Sequence, residues 1–426
     1  MSGIIIKGAK TLLPGNEIRE CDIAIDGGRI IGVNNAPAGF CADRIIEGAG
    51  RLVMPGLINC HTHSYMAFMR SAADDVPFMD WLFKGVSPIE DNMTDEDAYW
   101  GACLAIIEMM RTGTTCFSDM QMNPGMTSKA VVESGMRAVI SRGLVGSGND
   151  EGGRMRLDQT YREMEEFKDC DRLSFMLGPH APYTCDEEYL KIVASEAKEH
   201  GMGIHIHLSE SVSEIDQINE KYGCTPIALA ERTGIFDSRC VAAHCVQLKD
   251  GDIEIMKDHN VSVVTNPASN MKLGNGFCPV PELLEAGVNV CLGTDGAASN
   301  NRLNMFSEME LLSLIHKGTH RSPVCVSAKE TLDIATINGA KALGLDSEIG
   351  SVEEGKKADL AIIDLKRPAL QPENDIVSEL VYCAGGYEVD TVIIDGEITM
   401  ENGRILTLDE EEVYSHTAAI MRRIRG

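Results

Sequence analysis

Between Pro55 and Leu345 the sequence alternates short apolar segments with longer helical ones, and eight of the apolar segments have the length and composition of strands. The first ends at His63, and the others span residues 114–119, 138–142, 174–180, 203–208, 241–246, 261–266 and 288–295. Helical stretches separate several of them. Thr94 is placed to cap a helix over 95–111, and the capping box Ser327-Ala328-Lys329-Glu330 opens another that ends near Gly344. Eight β-α units of this kind predict an α/β fold, a closed (β/α)₈ TIM-like barrel. An open doubly wound sheet would gather its polar residues at one switch point. Here they recur at the C-terminal tips of many strands, where barrel sites are built.

The two chain ends share a different grammar. Strand-like segments at 4–6, 22–25 and 29–33, with a turn at Gly27-Gly28, reappear in kind at 359–364 and 389–394, with a turn at Asn402-Gly403. The expected division is a composite β-sandwich domain from 1–54 and 350–408, a barrel over 55–349, and a C-terminal helix over 409–426 whose last residues are basic, as the helix dipole favours.

The strand tips carry the chemistry. Strand one ends in His61-Thr62-His63, and alternation puts both imidazoles on one face. Strand five ends at His207, with Glu210 just beyond it; strand six carries His244 and strand eight Asp295. A lone histidine in an apolar strand is more often a packed structural residue. Several ligand-type side chains at the same end of one barrel point instead to a metal site. Three imidazoles and a carboxylate, His61, His63, His207 and Asp295, suit one divalent ion, Zn²⁺ or Fe²⁺, with a position left for water. Asp295 is placed to take that water's proton and Glu210 to pass a proton to substrate. His244 either ligates the ion or orients the water.

The net charge of −27 disfavours nucleic acid as a partner and leaves a neutral or cationic small molecule as the better expectation. No run of about 18 apolar residues predicts a membrane span. The start, Met1-Ser2-Gly3-Ile4-Ile5-Ile6-Lys7, reads as lacking a secretion signal, which predicts a cytoplasmic protein. The 14 cysteines include no C-x-x-C pair and read as reduced thiols; Cys245, beside His244, reads as packing. Gly350-Ser351-Val352-Glu353-Glu354-Gly355-Lys356-Lys357 nearly matches a phosphate loop, but it lacks the Ser or Thr after lysine and reads as a charged turn. No glycine-rich fingerprint supports a nicotinamide or flavin cofactor. A homo-oligomer is neither specified nor excluded.

Taken together, Pro55-Gly56-Leu57-Ile58-Asn59-Cys60-His61-Thr62-His63, His207-Leu208-Ser209-Glu210, His244-Cys245 and Gly293-Thr294-Asp295-Gly296 resemble the amidohydrolase superfamily across nearly the whole chain. The fourth strand segment lacks the lysine that binuclear members carry, so the resemblance is to the mononuclear aminohydrolase branch. Within it, Asp80-Trp81-Leu82-Phe83, Pro88-Ile89-Glu90-Asp91, Arg142-Gly143-Leu144, Glu151-Gly152-Gly153-Arg154, Gly178-Pro179-His180 and Asn266-Pro267-Ala268-Ser269-Asn270 look most like 5'-methylthioadenosine/S-adenosylhomocysteine deaminases. That resemblance implies hydrolytic deamination of an adenine ring at C6, with Glu210, His244 and Asp295 catalytic. It also implies that Trp81 packs on a nucleoside substrate, Glu90 accepts from ribose hydroxyls, His180 lies near purine or ribose, and Arg142 and Arg154 meet a homocysteine carboxylate. Guanine or triazine aminohydrolases and chlorohydrolases remain as alternatives, as does a barrel kept as a non-catalytic scaffold.

Overall fold

The computed structural model describes residues 3–122 and 124–425; residues 1, 2 and 426, the outer limits of the expected end domain and tail helix, lie outside them. Eight parallel strands run in chain order around a barrel: β1 (Leu57–Thr62), β2 (Thr114–Gln121), β3 (Arg137–Leu144), β4 (Leu173–Pro179), β5 (Gly203–Leu208), β6 (Cys240–His244), β7 (Ser262–Thr265) and β8 (Asn289–Leu292). Each pairs with the next. The ring closes where Asp295 N donates to His61 O at 2.9 Å. Ile58, Cys60, Cys116, Val139, Met176, Val241, Val264 and Cys291 fill one buried cluster drawn from seven of these strands.

Two strands stop more than one residue earlier than the sequence implies, and the reason is local. β6 ends at His244, which adopts φ +73°, rather than continuing to Val246. β8 ends at Leu292 because the chain turns in towards β1: a Cβ at Gly293 would meet His61 N and O at 2.9 Å. Asp295 then takes φ +60°, a left-handed value, which lifts it off the strand at the barrel mouth. The helix expected from Ser327 to Gly344 is broken into Ala328–Ile334 and Ile337–Leu343. At the break the Ala335 carbonyl accepts from Ile58 N at 3.0 Å, so it is engaged by β1 rather than by the next helical turn.

The chain ends build one nine-stranded mixed sheet. Its two halves join where Arg51–Pro55 runs antiparallel to Leu360–Asp364. The sheet holds its own apolar cluster, including Ile4, Ile6, Ile23, Ile25, Ile30, Val53, Leu360, Ile362 and Ile393. Arg51–Pro55 leads directly into β1, so the sheet is tied to the bottom of the barrel.

Thr94 caps Asp95–Arg111 with a full capping box closed by Asp97. The tail helix Glu410–Arg425 lies antiparallel to it: Arg111 pairs with Glu410 at one end, and Arg423 with Asp97 at the other. Its Ile420 joins Tyr65, Met66, Phe68 and Met69 in a cluster, so the tail supports the segment that follows His63. The 14 cysteines are unpaired. Among the described residues, no helix is long and apolar enough to cross a membrane.

Candidate active site

Alternation along β1 sends His61 into the barrel mouth, and the turn after it brings His63 alongside. His61, His63 and Asp295 offer ligand atoms within 4.8 Å of one another, and so do His61, His207 and His244. The Nε2 atoms of His61 and His63 each lie 3.5 Å from Asp295 Oδ1. His207 Nε2 is 3.3 Å from His63 Nε2. Backbone carbonyls orient two of these rings: Nδ1 of His63 is 2.8 Å from Met120 O, and Nδ1 of His207 is 2.7 Å from His180 O. A carbonyl accepts only from a protonated Nδ1, which leaves the Nε2 lone pair free to ligate.

His61 supplies the decisive test of fit. Its Nε2 is buried and, among the described residues, has no hydrogen-bond partner. Burial also pushes its pKa down to about 4, so the ring is neutral, as a ligand must be. Burial and the neighbouring imidazoles lower His207 likewise. Burial opposes ionisation of Asp295, yet the facing His61 side chain, 3.5 Å away, and the imidazoles of His244 and His63 hold its carboxyl well below the ordinary range. Asp295 Oδ2 also accepts from Ser269 Oγ at 2.6 Å and Ser299 Oγ at 2.8 Å. Three imidazoles and an ionised carboxylate, one nitrogen otherwise orphaned, fit a divalent metal ion.

Above this cluster opens a cavity of about 360 Å³. Glu210, His244 and Asp295 line it, as do Trp81, Glu90 and His180. Glu210 is fully buried, which raises its pKa, and Asn275 Nδ2 donates to its Oε1 at 3.0 Å. His244 Nε2 stands 3.9 Å from Glu210 Oε2, while its Nδ1 is fixed 2.8 Å from Asn270 Oδ1. The Trp81 indole donates to Ala298 O at 3.1 Å, which locks the ring against the wall. Glu90 accepts from the Tyr65 hydroxyl, and burial raises its pKa. His180 Nδ1 is 2.9 Å from Thr184 Oγ1, and burial lowers it to about 4.

Two expected substrate residues stand apart. Arg142 is not in the cavity wall; its Nη1 donates to Met122 O at 2.8 Å, and the side chain faces a second cavity shared with Asp95 and Glu163. Arg154 is exposed on the helix Glu151–Glu166 and does not line the cavity.

Sequence reasoning passed over several contributors. His205 packs its Nε2 2.8 Å from His61 Nδ1, and its own Nδ1 faces Ser141 Oγ at 3.2 Å and Ser118 Oγ at 3.3 Å. The signal was present, because His205 precedes His207 by two residues on the same strand face. Glu214 accepts from Ser209 N at 3.1 Å and Glu210 N at 2.8 Å, clasping the turn that carries Glu210. Ser269 and Asn270 reach Asp295 and His244 from a segment whose motif, taken alone, assigns them no role.

Residues 52–399 match the amidohydrolase family. The chain is 45% identical to the 5-methylthioadenosine/S-adenosylhomocysteine deaminase of Pelotomaculum thermopropionicum, over 97% of this chain and 97% of that one. It is 44% identical to the 5'-deoxyadenosine deaminase of Methanosarcina acetivorans, over 98% of each. The solved structure of an adenosine deaminase from Xanthomonas campestris with bound zinc superposes with a TM-score of 0.95 at 32% identity, covering 99% of this chain and 98% of that one.

Proposed function

The chain belongs to the amidohydrolase family, and we propose that it is a divalent-metal-dependent aminohydrolase acting on the adenine ring of S-adenosylhomocysteine, 5'-methylthioadenosine or adenosine, releasing ammonia and the inosyl product. The observation that carries this reading is the opposition of two carboxyls in one closed mouth. Asp295 is held ionised beside three imidazoles, and Glu210 is biased towards its protonated form by burial.

Hydrolytic deamination needs a proton acceptor for water, a proton donor at the ring nitrogen, and a proton for the departing amine. Asp295 Oδ1, beside the Nε2 atoms of His61 and His63, is the acceptor. Glu210 protonates the ring nitrogen next to C6 as the ring loses aromaticity; a buried acid suits a donor. The proton taken by Asp295 passes to the leaving amine. His244, its Nδ1 anchored on Asn270, directs Nε2 at the incoming oxygen. His61, His63, His207 and Asp295 would hold the ion, which we assign as Zn²⁺ in preference to Fe²⁺. When bound, it supplies Lewis acidity that brings water towards ionisation at neutral pH.

In this reading Trp81 packs on the nucleoside, Glu90 accepts from vicinal ribose hydroxyls, and His180 meets the purine or ribose edge. Residues 55–349 are the catalytic unit, 1–54 with 350–408 the accessory sheet domain, and 409–426 the tail. Metal-loaded protein should release ammonia from the adenosyl compounds and shift their ultraviolet spectrum to that of a hypoxanthine, with guanine untouched. Turnover of guanine alone, or of none of them, would overturn the assignment.

A further inference from the structure

We propose that Glu308 is a positioning residue for Asp295: from the helix Met305–His320 it fixes the two loops whose serines hold Asp295 Oδ2, so that Oδ1 stays turned to the imidazoles. The inference rests on the aminohydrolase reading above and adds to it a residue outside the cavity wall.

The two oxygens of Asp295 have separate duties. Oδ1 faces the Nε2 atoms of His61 and His63 at 3.5 Å and accepts from Gly296 N at 2.7 Å. Oδ2 accepts from Ser269 and Ser299, whose hydroxyls lie 3.0 Å apart. The last torsion of an aspartate is broad and roughly two-fold, so its own rotamer does not choose which oxygen goes where. The two serines make that choice, and they come from different loops, one after β7 and one after β8.

Glu308 joins those loops one residue away from each serine. Its Oε2 accepts from Ala268 N at 3.0 Å, and its Oε1 from Asn300 Nδ2 at 2.8 Å. The Asn300 amide also donates to Thr294 O at 2.6 Å, which ties down the residue before Asp295. Glu308 is 1% exposed, and burial pushes its carboxyl up to about 7 against both donors. The fold thus keeps a carboxyl where burial opposes its charge. Two facing donors call for two acceptor oxygens, which glutamine cannot offer, because its amide nitrogen would face one of them.

The test is a double-mutant cycle on the Zn²⁺-loaded protein, read by kcat and KM for 5'-methylthioadenosine and by the visible spectrum of the Co²⁺-substituted form. Glu308→Gln should lower kcat about 10–100-fold, with KM changed less than about twofold. It should also shift the cobalt absorption bands, as Ser269→Ala combined with Ser299→Ala does. Added to those two serine substitutions, Glu308→Gln should lower kcat no further, because its effect passes through them. Where Glu308→Gln fails to fold, Asn300→Ala, which severs one tie and leaves the carboxylate, takes its place with the same expected readings. Multiplying losses in the combined variant would overturn the inference, as would a lowered denaturation midpoint with kcat and cobalt bands unchanged. If the parent releases no ammonia from any adenosyl compound, the function assignment falls, while the cobalt bands of the serine and Glu308 variants still decide the inference.

Discussion

His205 stands behind His61, its Nε2 2.8 Å from the His61 Nδ1. One proton is shared between those two nitrogens. Ligation through His61 Nε2 requires that His61 keep it on Nδ1, so His205 accepts and turns its own Nδ1–H towards the Ser141 and Ser118 hydroxyls. Burial keeps His205 neutral, well below the ordinary histidine range, which suits an acceptor. Loss of such a supporting partner lowers metal affinity about 10–100-fold. His205→Ala should therefore lose its metal to a competing chelator at correspondingly lower chelator concentration. Activity should return when excess metal is supplied. A variant that retains metal as the parent does would remove His205 from this role.

Glu210 makes a separable prediction because it is not among the four proposed ligands. Glu210→Gln keeps the shape and an oxygen for the Asn275 amide but has no proton to give. Removing a general acid costs about 10²–10⁴ in rate. The expected outcome is a kcat lowered by that factor with metal stoichiometry intact, measured by elemental analysis beside steady-state kinetics.

Much of this was legible in the residue pattern, for physical reasons that also mark where legibility stops. Period-two alternation placed His61 and His63 together, and the order of eight apolar segments placed the barrel, because parallel strands buried on both faces write near-continuous apolar runs. What the pattern could not show was set by backbone turns and long-range packing. Asp295 left its strand because Gly293 lies against β1, and Arg142 turned away because a carbonyl and a side cavity compete for its guanidinium. Glu214 shows no periodic signal, since its partners are two backbone N–H groups in a turn. His205 was legible and passed over: it has the spacing of a ligand, but lies one layer deeper.

Glu163, in the side cavity with Arg142, ties stability to pH. Burial pushes its carboxyl up to about 7, against the hydrogen bond it accepts from Ser128 Oγ at 2.6 Å. The folded protein then binds a proton that the unfolded chain releases near its ordinary value of 4.5. Between that value and about 7 the native state carries more protons, so stability falls as pH rises, by up to about 3 kcal/mol. The contribution is neutral below the unfolded value and complete above the folded one. Urea midpoints at pH 5 and pH 7.5 should differ less in Glu163→Gln than in the parent; parallel losses in the two proteins would assign the dependence to other buried acids.

The junction between barrel and end sheet holds a buried charge cluster in which Arg137 faces Asp359 and, at 3.7 Å, Asp395. Arg137 opens β3 at the bottom of the barrel, and its Nε and Nη2 donate to Asp359 at 2.6 and 3.0 Å. Both side chains are almost fully buried. Burial opposes the guanidinium charge, but Asp359 raises its pKa above the ordinary arginine value. Asp359 Oδ1 also accepts from Asp395 N at 2.8 Å, so one carboxylate gathers the barrel and two segments of the end sheet. Removing one partner strands a charge in the interior, at a cost of about 3–5 kcal/mol, whereas removing both leaves only the buried Asp395, which keeps Lys357 at 2.7 Å. Arg137→Met and Asp359→Leu should each lower the denaturation midpoint steeply, and the double variant by less than the sum. Because the pair lies at the opposite end of the barrel from His61 and Asp295, metal content per folded molecule should be unchanged in all three. Additive losses would show that the two residues act independently, and loss of metal from folded protein would show that the junction reaches the site.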